Sequence, residues 1–268
     1  MTRPWVALPS IACLSLIAAA VHAEDCKLPA DLTAAAPLTG IERIEIDAQA
    51  GELHVNGAAA VAMAQASGKA CASSKDMLKG IKLRMERRDQ VLRITATTPT
   101  ASVLRVFGRA SYARLDVTVT LPASLPVKVT DTSGDLEVAG ILSLDLKDES
   151  GDILVHDIAE DVTIDDDSGD LTVTSVKGSV TLRDGSGDIK VSKIGGAVEV
   201  VSDGSGDINA DEIGHGLIER RDDAAFGVDA LRDLIGQAAR DVWVGIFDLK
   251  TVRIELAALA VDQNVGKA

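Results

Sequence analysis

The chain of 268 residues carries 41 acidic and 27 basic side chains, a formal net charge of −14, and is 46% hydrophobic but only 2% aromatic. That acidic balance argues against a nucleic-acid partner, and the scarcity of Trp and Tyr argues against a lectin that stacks sugars on aromatic rings. A core must be built from Val, Ile, Leu and Ala, and the length suits one large domain or one domain with an appendage.

Residues 1–23 read as an export signal. Arg3 precedes an apolar run from Ile11 to Val21, and the segment closes on Val21-His22-Ala23, a small-residue cleavage site. The run is too short for a bilayer span, which takes about 20 apolar residues. Cleavage after Ala23 gives a periplasmic or secreted chain with no transmembrane segment and no lipid anchor at Cys26. Cys13 leaves with the signal, and Cys26 and Cys71 remain as an even pair. In an oxidising compartment two such cysteines form a disulfide, closing a loop that contributes about 3–4 kcal/mol in the chain-entropy model.

Residues 24–130 form an irregular β segment. Ile44 and Ile46 followed by Gly51–Gly57 give a strand, a turn and a strand. Further alternating stretches stand at Ile81–Met85, Val91–Thr97, Leu115–Leu121 and Val127–Val129. Longer connections are expected over Ala64–Lys79, with room for a short helix, and over Thr98–Ala110. Pro122 and Pro126 mark the internal boundary, at residues 122–131. The segment is basic: from Lys69 to Lys128 twelve Lys/Arg face four Asp/Glu, whereas from Asp131 to Asp223 seven face twenty-four. That asymmetry fits two differently charged solvated faces, or head-to-tail self-association and contact with anionic envelope surfaces.

Residues 131–221 are a regular array. Ser-Gly-Asp occurs five times, from Ser133, Ser150, Ser168, Ser186 and Ser205, at spacings of 17, 18, 18 and 19 residues. Each copy has an aspartate two positions earlier, so the full signature is D-x-S-G-D. Apolar residues recur in phase, as in Ile153/Val155, Ile158 and then Val162/Ile164. Short stretches of period-2 alternation at a fixed repeat predict an all-β, parallel β-solenoid with about 18 residues per coil, each coil burying an aliphatic ladder against the next. A sandwich, a barrel or a hairpin meander is the alternative.

The turn explains itself structurally. Glycine permits positive φ, and solvated Asp and Ser side chains accept hydrogen bonds from nearby backbone N–H groups. Stacking adds a second aspect, because aspartates about 5 Å apart repel by roughly 1 kcal/mol per pair in water. Asp131, Asp135, Asp148, Asp152, Asp166, Asp170, Asp184, Asp188, Asp203 and Asp207 are therefore candidate Ca²⁺ ligands. The repeat matches neither an EF-hand nor the shorter Ca²⁺-binding nonapeptide. Without Ca²⁺, no cofactor is expected. An enzyme has little support: His54, His156 and His215 each stand alone in sequence, and five equivalent turns offer no pair of carboxyl groups in contrasting environments. A polysaccharide-active β-helix is the remaining catalytic alternative.

The leading Gly51–Gly57 unit, the segment Val117–Pro122 and the S-G-D-[LI]-x-V repeats resemble the "putative adhesin" domain family, bacterial envelope proteins also catalogued as a domain of unknown function. The resemblance covers roughly residues 40–220. It implies a solenoid-like fold, a surface or periplasmic setting and contact with envelope or cell-surface components, and it carries no active site. The tail, 222–268, departs from it. There Val228, Leu231, Ile235, Ala238 and Val242 recur at helical spacing, a possible end cap for the solenoid, before alternating Val252, Ile254 and Leu256.

Overall fold

The computed structural model describes residues 26–59, 61–99, 111–219, 245–248 and 252–255. The export segment 1–23, the connection from Thr100 to Ala110 and the helical spacing from Val228 to Val242 lie outside them. The irregular segment holds β1 (Leu28–Pro37), β2 (Arg43–Asp47), β3 (Leu53–Ala58), β4 (Met63–Ala72), helix α1 (Lys75–Gly80), β5 (Lys82–Arg88), β6 (Val91–Thr97) and β7 (Ala113–Pro122). Next come β8 (Val127–Thr130), β9 (Leu136–Ala139), β10 (Leu144–Asp148), β11 (Ile153–Ile158), β12 (Val162–Asp166) and β13 (Leu171–Val176). The array ends with β14 (Val180–Asp184), β15 (Ile189–Ile194), β16 (Val198–Asp203), β17 (Ile208–Ile213) and β18 (Leu217–Glu219). Two short strands, β19 (Gly245–Asp248) and β20 (Val252–Glu255), continue past β18.

Successive strands alternate between two sheets. Sheet A runs β1-β4-β7-β3-β9-β11-β13-β15-β17 and sheet B runs β20-β19-β18-β16-β14-β12-β10-β8-β2-β6-β5. Within the array every pairing is parallel, and in sheet A the equivalent residues stay in register: Leu136, Ile153, Leu171, Ile189 and Ile208 stand side by side, partners 17, 18, 18 and 19 residues apart. The widest step has a local cause, a register shift in β16 after Val200 that leaves Val201 as an extra residue. This arrangement of parallel strands excludes the hairpin meander.

The aliphatic ladders of both sheets meet in one core. Val155, Val173, Leu182 and Val198 are all fully buried and belong to a single cluster built from Val, Ile, Leu and Ala. In sheet A the alternation is interrupted once per coil. Asp157, Ser175, Lys193 and Glu212 take left-handed conformations with φ of 52–59°, and Gly140 holds the same place in the first copy at φ 70°. The step resets the phase, so that Ile158, Val176 and Ile194 turn inward three residues after the preceding core residue instead of two.

Spatial order departs from chain order at the start. β2 and β3 stack on β8 and β9, as the early strand-turn-strand unit implies, but β6 and β7 pack on their other side. Antiparallel strands finish this end, with β4 on β7, β1 on β4 and β5 on β6. β1 is not legible in the sequence, and the expected connection over Ala64–Lys79 is mostly strand β4, with only α1 helical. Its inward residues, Ala64, Ala66, Gly68 and Ala70, alternate correctly but are too small to signal a strand. Ser74 caps α1, its Oγ accepting from the Met77 N–H at 3.3 Å. The expected Cys26–Cys71 disulfide is present, with the Cα atoms 5.6 Å apart, and it fastens the start of β1 to β4. Among the described residues no helix is long and apolar enough to cross a membrane.

Candidate functional site

The D-x-S-G-D turn joins a sheet B strand to a sheet A strand, and each fixed residue in it contacts a neighbouring coil. The first aspartate ends its sheet B strand, or directly follows it in the case of Asp131, in phase with the inward residues, so it points into the corner of the core. Serine bonds back to the preceding coil: Ser150 Oγ donates to the Thr132 carbonyl and Ser168 Oγ to the Glu149 carbonyl, both at 3.3 Å. Glycine brings the turns into close stacking. Gly134, Gly151, Gly169, Gly187 and Gly206 have φ between 124° and 149°, and a Cβ on any of them would overlap the carbonyl of the glycine one coil earlier. The N–H of Gly151 donates to the Ser168 carbonyl at 3.1 Å and that of Gly169 to the Ser186 carbonyl at 3.0 Å.

The two aspartates of the signature have opposite environments. Asp135, Asp152, Asp170, Asp188 and Asp207 face solvent. The Asp152 carboxylate accepts the Asp170 N–H at 3.0 Å, Asp170 the Asp188 N–H and Asp188 the Asp207 N–H at the same distance, so these carboxylates link successive turns. Asp131, Asp148, Asp166 and Asp184 are instead 1%, 0%, 2% and 4% exposed. The expectation of solvated turn carboxylates fails for this ladder, because strand phase turns it inward. In the earlier unit Ala48 takes the equivalent place, hydrogen-bonded to the Thr130 carbonyl, which is why the ladder begins only at Asp131.

Burial pushes these four carboxyls up: Asp131 and Asp166 to about 7, Asp184 to about 6, and Asp148 in the same direction. Neighbouring carboxylates add to the rise for each of them. Turn N–H groups oppose it without outweighing burial. Asp166 Oδ1 accepts the Ser168 N–H at 3.3 Å, whereas both oxygens of Asp131, Asp148 and Asp184 lie buried without a partner in hydrogen-bond geometry. The tenth residue, Asp203, is half-buried at the end of the ladder. Among the described residues no three His, Cys, Asp or Glu side chains are gathered as a metal ion requires.

A second cluster lies on the outer face of sheet A. His54 and His156, isolated in sequence, flank Glu137: His54 Nδ1 is 3.0 Å and His156 Nε2 3.3 Å from its two oxygens. Asp157 holds the other ring nitrogen of His156 at 2.8 Å. The two imidazoles keep the Glu137 carboxyl below the usual range, while Asp157 and then Glu137 raise the His156 imidazole. The cluster borders a shallow groove of about 510 Å³ lined by Glu52, Asp135, Asp152 and the exposed Leu154. No periodicity signals this cluster, since its members come from separate coils and meet only through sheet register.

The Toastrack DUF4097 family profile matches residues 41–217, from two residues before β2 to the first residue of β18. Among solved structures, a "putative cell adhesion protein" from Clostridium sporogenes is 15% identical, with 69% of this chain and 100% of that chain covered at a TM-score of 0.43. A "putative adhesin" from Bacteroides fragilis is 16% identical, covering 72% of this chain and 84% of that one at 0.48. A "putative lipid binding protein" from Parabacteroides distasonis is 14% identical, covering 81% and 94% at 0.34. No curated protein matches the chain.

Proposed function

We propose that this chain, which belongs to the Toastrack DUF4097 family, is a non-enzymatic scaffold of the cell envelope that binds surface components through the outer face of sheet A. The observation that carries the reading is a single register row of outward side chains. His54, Glu137, Leu154, Thr172, Lys190 and Asn209 stand side by side on β3, β9, β11, β13, β15 and β17. Parallel in-register strands set such residues about 4.8 Å apart, so the row offers a partner an extended, evenly spaced contact line. Its chemistry is mixed, with charge, hydroxyl and amide groups around one exposed leucine, as in a polar interface rather than a reaction centre. The Cys26–Cys71 bridge supports an oxidising compartment outside the cytoplasm, in keeping with the export signal read from residues 1–23.

The test compares binding of bacterial envelope vesicles by the bead-bound protein and by a Glu137→Lys, Leu154→Glu variant, both substitutions lying on the outer face. The variant is expected to lose at least tenfold in affinity with its melting temperature kept. Equal binding by both proteins overturns the reading. Binding and melting temperature that both fall with EDTA and return with millimolar Ca²⁺ would favour the cation-dependent alternative. Turnover of an acidic polysaccharide that disappears when the turn aspartates become asparagine would favour the enzyme.

A further inference from the structure

We propose that Asp131, Asp148, Asp166 and Asp184 form a proton-holding ladder, in which stacked carboxyl groups share protons along the corner of the core and the array loosens as those protons leave. Three observations carry it. The aspartates are in register, Asp148 beside Asp166 and Asp166 beside Asp184 on parallel strands, so neighbouring carboxyl groups are one strand spacing apart. All four are more than nine-tenths buried. Seven of their oxygens, both of Asp131, Asp148 and Asp184 and Oδ2 of Asp166, lack a partner in hydrogen-bond geometry, and the turn N–H groups close to them do not outweigh burial.

A buried ionised carboxylate without partners is costly, and native proteins rarely leave such groups unsatisfied. The charged groups bearing most on the ladder make matters worse. Besides one another they are Asp47 from β2, Glu149, Asp167 and Asp170 from the turns, and Asp203 from β16, all carboxylates. With no cation among them, a proton is the smallest species that removes charge and supplies a donor. One protonated carboxyl can donate to its neighbour, which converts mutual repulsion into a charge-assisted hydrogen bond. The displaced pKa values agree with this picture, reaching about 7 at Asp131 and Asp166.

The consequence for stability has a definite sign. An unfolded aspartate releases its proton near pH 4, whereas the native ladder keeps it to about pH 6–7. Between those limits the native state binds more protons than the unfolded state, so stability falls as pH rises. Each retained proton lowers the folding equilibrium constant about tenfold per pH unit in that window.

The test uses urea unfolding of the whole protein between pH 5 and pH 8, for the wild type and for Asp148→Asn with Asp166→Asn. The wild type is expected to lose at least tenfold in its folding constant across the range, and the double variant to lose much of that slope. Infrared spectra of the native wild type at pH 6 are expected to show the C=O stretch of a protonated, buried carboxylic acid. That readout stands even if the variant does not fold. A wild-type stability that is flat or rises with pH, or the absence of the carboxylic-acid band, overturns the proposal. A band absent in the wild type together with a melting temperature raised by millimolar Ca²⁺ would show that the corner holds a cation instead.

Discussion

Gly169→Ala tests whether close stacking of the turns, rather than turn flexibility, is what the array depends on. Gly169 has φ 143°, a region closed to side-chain-bearing residues, and its Cβ would overlap the carbonyl carbon and oxygen of Gly151. No rotamer relieves a collision between a Cβ and a backbone carbonyl, so the two coils must separate locally. The hydrogen bonds that suffer are Gly151 N–H to the Ser168 carbonyl and Ile153 N–H to the Asp170 carbonyl, at 3.1 and 2.9 Å. Backbone strain of about 1–3 kcal/mol and about 1 kcal/mol for each of two hydrogen bonds give roughly 3–5 kcal/mol. Against a typical total of about 5–15 kcal/mol this is severe, and it corresponds to a loss of about 6–20 °C in melting temperature. Thermal unfolding followed by far-ultraviolet circular dichroism measures it. Ser168→Ala is the control, since it removes one 3.3 Å side-chain hydrogen bond and should cost no more than about 1 kcal/mol. A Gly169→Ala protein melting within about 3 °C of the wild type would refute the stacking argument.

Three other outcomes are expected. Lys193 is exposed at φ 56°, so Lys193→Gly should relieve left-handed strain and raise stability by about 0.5 kcal/mol, read from the urea midpoint; a lower midpoint contradicts the strain assignment. Replacing Cys26 and Cys71 by serine should cost about 2–4 kcal/mol, with the first proteolytic cut falling at β1 or β4, which the bridge joins. His156 should titrate above 6.5 by nuclear magnetic resonance, with its midpoint falling in Asp157→Asn; because its native pKa is raised, its small contribution to stability is present below the unfolded value and disappears as pH rises through the native one.

The array was legible because its chemistry recurs. Val, Ile and Leu at fixed places after each Asp determine strand, face and register together, and a parallel stack is what keeps every turn equivalent. Gly51–Gly57 was legible as an early copy for the same reason. What the sequence concealed follows from three physical causes. β4 presents Ala64, Ala66 and Ala70 to the core, and small side chains carry no strong strand preference. Asp131, Asp148, Asp166 and Asp184 look like turn residues, yet strand phase turns them inward, and residue type alone suggested water. His54, Glu137 and His156 are brought together by pairing between coils 83 and 19 residues apart, a distance at which no local pattern operates.

The antiparallel strands β1, β4 and β5 give the two ends of the molecule unequal histories. The end they close cannot accept another coil without dismantling existing pairings, whereas the parallel run from β8 to β18 is a series of interchangeable modules. Residues 153–170 span one such module, and their removal would join Asp152 to Leu171 in the same local setting that Ile153 now occupies. Length is therefore a quantity that duplication or deletion can adjust without inventing a new contact. A gene encoding this chain could lengthen or shorten its outer row in steps of one strand spacing, about 4.8 Å, with its reach altered and its chemistry nearly constant.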